Sequence, residues 1–205
     1  MSTLRLTYFD APGRAEPLRV VLRLGGIPFD DHRLKFPDFH RLKAGGAFPL
    51  GSVPVLEVDG FPMVQTAAML RYAARLGAPD LYPDDPWEGF VVDSALDCFN
   101  DTLTNALMPS MMERDPVRKA ELRQTFVDGP MPLILAHTER LLERSGGPFL
   151  LGQRLSIADI VIALQVGAMV RGILDGITAD HMAPYPLLAA LPVAYASHPR
   201  IQALG

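Results

Sequence analysis

The stretch "APDLYPDDPW" (78–87) constrains this chain more than any other. It places three prolines in ten residues. Each removes a backbone donor and fixes φ, so neither a strand ladder nor a helix runs through it. Before it, alternating and helical hydrophobic periods take turns. Beyond it only helical periods appear. The chain therefore reads as an α+β domain at 1–77, a linker at 78–86 and an all-α domain at 87–205. Its 205 residues are enough for two packed cores.

The first part resolves into elements. "LRLTY" (4–8) alternates as a half-buried strand. Residues 14–24 follow as a helix with Ala15, Leu18, Val21 and Leu22 on one face, and Gly25-Gly26 stops it. Pro17 lies in its first turn, where a missing N–H does no harm. A second strand is expected over Phe29 to Leu34. "VPVLEVDGFPMV" reads as a hairpin turning at Asp59-Gly60, with Pro62 confining the last strand to a sheet edge. "QTAAMLRYAARLG" is a helix with Thr66 expected as cap and Gly77 as stop. The order is βαβ, then ββα.

The second part carries helical patterns at 87–113, 116–128, 131–145, 156–171 and 184–203. In "LSIADI" (155–160), Ser156 and Asp159 occupy the N-cap and N3 positions of a capping box. Leu155 and Ile160 occupy the staple positions around it.

Several functions are excluded by composition. Net charge is −4 with no basic block, which leaves no nucleic-acid footprint. The single cysteine, Cys98, rules out an internal disulfide, a CxxC pair and a cysteine zinc cluster. The five histidines show no ligand spacing, so no metal is expected. Neither GxGxxG nor a P-loop occurs, which removes nucleotide binding. The first ten residues have no apolar h-region, and no apolar run reaches a membrane span's ~18 residues. A cytoplasmic location without a membrane partner is expected.

Five features could carry chemistry. Tyr8 ends the first strand and precedes "GRAE". A phenol is a poor base but a good donor at neutral pH, suited to holding a developing anion. On position alone, a half-buried tyrosine with a structural hydrogen bond is the commoner reading. Pro54 stands at a strand entry, where a cis bond would turn the Val53 backbone outward for a peptide-like ligand, and a trans bond would be merely structural. Gln65 and Thr66 sit at a helix amino terminus, which suits a carboxylate as well as capping. Asp93, Asp97 and Asp101 share a helix face, either solvated or facing a cation. Met108, Met111 and Met112 are core or an adaptable apolar pocket.

In order along the chain, Tyr8, "GRAE" (13–16), Lys43, "VPVLEVDG" (53–60), Gln65-Thr66, the proline-rich linker and "LSIADI" resemble a cytosolic glutathione transferase. The resemblance is to the sigma class, which includes glutathione-dependent prostaglandin D synthase. It covers nearly the whole chain. It implies a thioredoxin-like amino-terminal domain, an all-helical carboxy-terminal domain, a homodimer and glutathione as cosubstrate. It implies that Tyr8 hydrogen-bonds the glutathione thiolate, with Arg14 in support. Val53, before a cis-Pro54, would pair with the cysteinyl backbone. Gln65 and Thr66 would hold the γ-glutamyl carboxylate. Lys43 would meet the glycyl carboxylate, beside Phe39, Gly51 and Ser52. Asp101 would reach the γ-glutamyl amine of the other subunit's glutathione. Phe9, Met108 and Met112 would line the site for a small hydrophobic electrophile.

Four departures qualify the resemblance. Phe39 replaces the usual tryptophan and its N–H donor. Ser52 replaces a lysine, and both changes predict weaker glutathione binding. Thr66 replaces a serine and keeps the hydroxyl. Asn100 and Met108 replace an aspartate and a tryptophan, which argues against prostaglandin isomerase activity and a cation site. The expected activity is conjugation of the glutathione thiolate to apolar electrophiles, in a detoxifying role. The alternatives are an isomerase or peroxidase, and a non-catalytic crystallin-like or ligand-carrying protein.

Overall fold

The computed structural model describes residues 3–205, with side chains for all of these but 101 and 102. Contacts divide the chain into two compact units, Met1–Pro79 and Asp80–Gly205.

In the first unit, β1 (Leu4–Phe9) leads through a 3-10 turn (Gly13–Ala15) into α1 (Glu16–Leu24). There follow β2 (Asp30–Leu34), α2 (Phe36–Ala44), β3 (Val55–Val58), β4 (Phe61–Met63) and α3 (Thr66–Gly77). The sheet order is β2-β1-β3-β4. β1 is parallel to β2 and antiparallel to β3, and β3 is antiparallel to β4. This is a thioredoxin-like arrangement. Pro62 does lie on the edge strand, where its missing donor breaks no inner ladder. Asp59 and Gly60 both have positive φ, 49° and 83°, as a tight hairpin turn demands.

The core of this unit lies between the sheet and helices α1 and α3. Leu6, Leu18, Val21, Leu22, Leu56, Met69 and Leu70 are all fully buried. The apolar stripe read on the first helix is therefore its inward face. Each such side chain contributes about 1.5–3 kcal/mol relative to exposure.

Three details differ from expectation. The helix expected from residue 14 begins as a 3-10 turn and becomes α-helical at Glu16. Helix α2 is additional to the expected elements; none of its residues is fully buried, and its apolar stripe is only Phe36, Phe39 and Leu42. Thr66 is not the cap of α3. Gln65 is the N-cap residue, at φ 71°, and Thr66 is the first helical residue, with 2% of its surface exposed.

The second unit is helical: α4 (Pro86–Asp97), α5 (Thr104–Met112), α6 (Pro116–Asp128), α7 (Pro130–Ser145), α8 (Ile157–Val170), α9 (Pro186–Ser197) and α10 (Pro199–Gln202). The helix expected over 87–113 is interrupted by a π-helical segment, Cys98–Leu103. Within it the Phe99 carbonyl accepts from the Thr104 hydroxyl (3.0 Å) and Gln165 Nε2 (3.3 Å). The helix expected over 184–203 breaks at His198, whose extended backbone precedes Pro199. Helix α8 is the centre of the unit and is buried on nearly every side.

The capping box at the start of α8 forms as read. Ser156 Oγ accepts from the Asp159 N–H, and Asp159 Oδ2 accepts from the Ser156 N–H (2.8 Å). Leu155 and Ile160 are both buried beside it. Among the described residues, no helix is long and apolar enough to cross a membrane.

Candidate active site

The registers bring the sequence-predicted residues of the first unit to one end of its sheet. Thr7 pairs with Val55, so the carboxyl end of β1 meets the entry to β3. Leu56 pairs with Met63, so Val53-Pro54 and Gln65 flank the same open end of the hairpin. Phe9 pairs with Leu34, so α2 also starts there. In open sheets of this kind, ligands collect outside the carboxyl ends of the parallel strands.

Tyr8 is buried at this end, with its ring packed under the 3-10 turn. Its hydroxyl oxygen accepts the Arg14 backbone N–H at 3.1 Å. That contact uses a lone pair and leaves the phenolic proton to be donated elsewhere. Gly13 is required for it. With φ at +46°, a Cβ there would lie 2.6 Å from the Tyr8 oxygen.

Two buried side-chain nitrogens have no hydrogen-bond partner among the described residues: Arg14 Nε and Arg19 Nη2. Both belong to the segment that covers Tyr8. A buried donor of this kind costs about 1–3 kcal/mol when unpaired, more if charged, and a cationic one favours a nearby anion.

Arg19 was not singled out in the sequence. It is fully buried, and its Nε contacts both oxygens of Asp31 at 3.1 Å. Its Nη1 donates to the carbonyls of Ala11 (2.8 Å) and Pro12 (3.3 Å) and to Glu16. Its guanidinium lies 6.0 Å from the Tyr8 ring centroid. It ties down the turn that presents Gly13 and Arg14. A signal existed: Ala15, Leu18, Arg19 and Leu22 fall at i, i+3, i+4 and i+7, so this arginine sits in the inward stripe.

An aromatic run leads away from Tyr8. Its ring meets Phe9 edge-on at 5.4 Å. Phe9 stacks on Phe36 at 4.7 Å and tilts against Phe39 at 5.1 Å. Phe39 stacks on Phe48 at 5.5 Å, and Lys43 Nζ lies 5.7 Å over the Phe39 ring. The Lys43 side chain also lies along Gly51, with Cε 3.4 Å from where a Cβ would stand. Lys43 and Ser52 are exposed, and Val53 and Pro54 are buried, joined by a cis peptide.

Gln65 is exposed at the amino end of the 12-residue α3. Thr66 and Ala67 contribute first-turn N–H groups there, which lack intrahelical partners. These and the positive dipole end suit an anion.

The remaining predicted residues belong to the second unit. Met108 and Met112 stand one turn apart on α5, half-buried and exposed respectively. The role expected of Asp101 lies outside the described side chains. Of its companions, Asp93 accepts from the Tyr82 hydroxyl at 2.9 Å and Asp97 is exposed. No cluster of three or more metal-ligating side chains occurs among the described residues. Burial, with Asp97 adding to it, pushes the Cys98 thiol above its ordinary range, so this cysteine is a poor nucleophile.

The fold and site define a two-unit class, a thioredoxin-like unit with Tyr8 and Arg14 at the β1 turn joined to an all-helical unit. Comparison with known families makes the class specific. The glutathione S-transferase N-terminal domain matches residues 4–75, and its C-terminal domain matches residues 100–204. The chain belongs to the glutathione S-transferase family. It is 34% identical over 170 residues to glutathione S-transferase 1 of Ascaris suum, covering 79% of this chain and 78% of the relative. It is 30% identical over 203 residues to glutathione S-transferase A3 of Mus musculus, covering 96% of this chain and 86% of the relative. The solved prostaglandin synthase D of Nilaparvata lugens superposes with a TM-score of 0.81 at 29% identity, covering 98% and 96% of the two chains. The protein is a transferase that conjugates glutathione, its cosubstrate.

Proposed function

We propose that Tyr8 ionises the thiol of bound glutathione, and that the thiolate attacks a small hydrophobic electrophile beside Phe9. The observation that carries this reading is the hydroxyl of Tyr8. It accepts from the Arg14 N–H and so has its proton to give, and an unpaired buried Arg14 Nε lies in the same turn. A hydrogen bond to a charged group contributes about 1.5–3 kcal/mol, which lowers a thiol pKa by roughly one to two units.

The rest of the cosubstrate follows the sheet end. Val53 pairs with the cysteinyl backbone. Gln65, Thr66 and the α3 amino terminus hold the γ-glutamyl carboxylate. Lys43, above Phe39 and along Gly51 and next to Ser52, meets the glycyl carboxylate. Asp101 serves the second glutathione of a homodimer, and Met108 and Met112 extend the electrophile site. The domain division at 1–77 and 87–205, the cytoplasmic location and a detoxifying role are parts of the same reading.

The test is Tyr8→Phe with a standard thiol-reactive electrophile. The expected result is kcat lowered by about tenfold to a hundredfold with the KM for glutathione little changed. Equal rates would overturn the role of Tyr8. A sigma-class isomerase reading is favoured by one observation, the likeness to the solved prostaglandin synthase D of Nilaparvata lugens. A product screen with prostaglandin H2 separates it from conjugation.

A further inference from the structure

Helix α5 carries a proline in its interior, Pro109, between Met108 and Met112. It offers no N–H to the Asn105 carbonyl, and its ring crowds that carbonyl, so the turn joining the two methionines is intrinsically weak. A buried chain of hydrogen bonds spans the weak turn. Ser110 is 1% exposed, and its hydroxyl donates to the Leu107 carbonyl at 2.8 Å, across the proline. The same oxygen accepts from Nε of Arg123 on α6 at 2.9 Å. Arg123 is itself buried. Its Nη2 lies 3.5 Å from the Met111 sulfur, and its Nη1 donates to the Asp175 carbonyl at 2.6 Å, in the segment that follows α8. Lys119, one turn before Arg123, pairs with the Asp175 carboxylate. Gly176 lets that segment come close, because a Cβ there would lie 3.2 Å from Arg123 Cγ. Ser110 is two residues from Met108 and two from Met112, about 200° around the helix from each. The brace therefore holds α5 from the face opposite the methionines.

We propose that Ser110 and Arg123 are positioning residues, which fix Met108 relative to Met112 and so set how strongly the enzyme prefers long apolar electrophiles. The proposal rests on the reading that these methionines line the electrophile site. A thioether side chain adapts readily to whatever lies against it. On an unbraced turn the pair would yield to an apolar chain instead of keeping contact along it. Held in place, it gains contact with each added methylene, a gain of about twofold to fourfold in kcat/KM per group.

The experiment measures kcat/KM for 2-hexenal and 2-nonenal, which differ only in three methylenes beyond the reacting double bond. It uses wild type, Ser110→Ala, Arg123→Met, their double variant and Met108→Ala. Wild type should favour nonenal by about tenfold or more. In Ser110→Ala and in Arg123→Met the preference should fall to about threefold or less, and the double variant should fall no further than Arg123→Met. The KM for glutathione should change less than about twofold in all of them. A loss of stability alone lowers both rates together and leaves their ratio unchanged. Ser110→Ala removes only a hydroxyl, so it decides the matter if Arg123→Met does not fold. A preference that Met108→Ala flattens and Ser110→Ala leaves intact overturns the brace alone. A wild type without length preference, or a Met108→Ala that keeps it, overturns the brace together with the methionine reading. Wild-type protein that conjugates neither alkenal overturns it together with the Tyr8 reading.

Discussion

Replacing Asp159 with Asn tests how a buried carboxylate governs the helical unit. Asp159 is fully buried. Its Oδ1 accepts the Leu150 N–H at 2.9 Å, and its Oδ2 accepts the Ser156 N–H at 2.8 Å and the Ser156 hydroxyl at 2.6 Å. Desolvation raises its pKa from 3.8 to about 6, against the pull of those hydrogen bonds. The folded-state value is the raised one. Between pH 3.8 and 6 the native chain therefore binds a proton that the unfolded chain has released. The stabilisation from this group is full below pH 3.8 and is lost as pH rises through 6. Two pH units at 1.36 kcal/mol each make this about 3 kcal/mol. Asn keeps the shape but does not titrate, and its amide turns a donor toward donors, costing about 1–3 kcal/mol per unpaired group. Melting is followed by circular dichroism from pH 4 to 8 for both proteins. The Tm of wild type relative to Asp159→Asn should fall by about 6–12 °C across that range. A difference that does not vary with pH, or that grows in favour of wild type as pH rises, would refute the reasoning.

Three further outcomes follow from the site. Arg19→Met removes the partner of Asp31 and of the Ala11 and Pro12 carbonyls, and should cost about 3–5 kcal/mol in urea unfolding. Gly13→Ala drives a Cβ to within 2.6 Å of the Tyr8 oxygen, so kcat should fall toward that of Tyr8→Phe, with only a few degrees lost in Tm. Lys43→Ala removes an exposed cation, so the KM for glutathione should rise about threefold to fivefold at low salt and less at high salt, with kcat unchanged.

Much of the fold was legible because its signals are local. The hairpin turn is written in Asp59-Gly60, which take the left-handed conformations such a turn needs. The α8 start is written in Ser156 and Asp159, which satisfy each other's backbone donors. What escaped depends on burial that comes only from tertiary contact. Helix α2 packs only Phe36, Phe39 and Leu42 at three-residue spacing, a stripe too short and too shallowly buried to stand out among its polar residues. The π-helical segment breaks a hydrophobic pattern that is continuous in sequence, and its Phe99 carbonyl is served by Gln165 from α8. In the candidate site, the position of Tyr8 alone favours a structural tyrosine, and its role comes from the resemblance. Its contact with the Arg14 N–H required coordinates, because it depends on Gly13 bringing the turn over the ring. Arg19 does not stand out by residue type, because an arginine usually marks a solvated face. Here it satisfies two carbonyls and two carboxylates from inside.

The central claim is that the Tyr8 hydroxyl stabilises a thiolate. Titration of the ultraviolet absorbance of bound glutathione, in wild type and in Tyr8→Phe, tests it directly. The account predicts a thiol pKa about one to two units lower in wild type than in the variant. Coincident titration curves would contradict it.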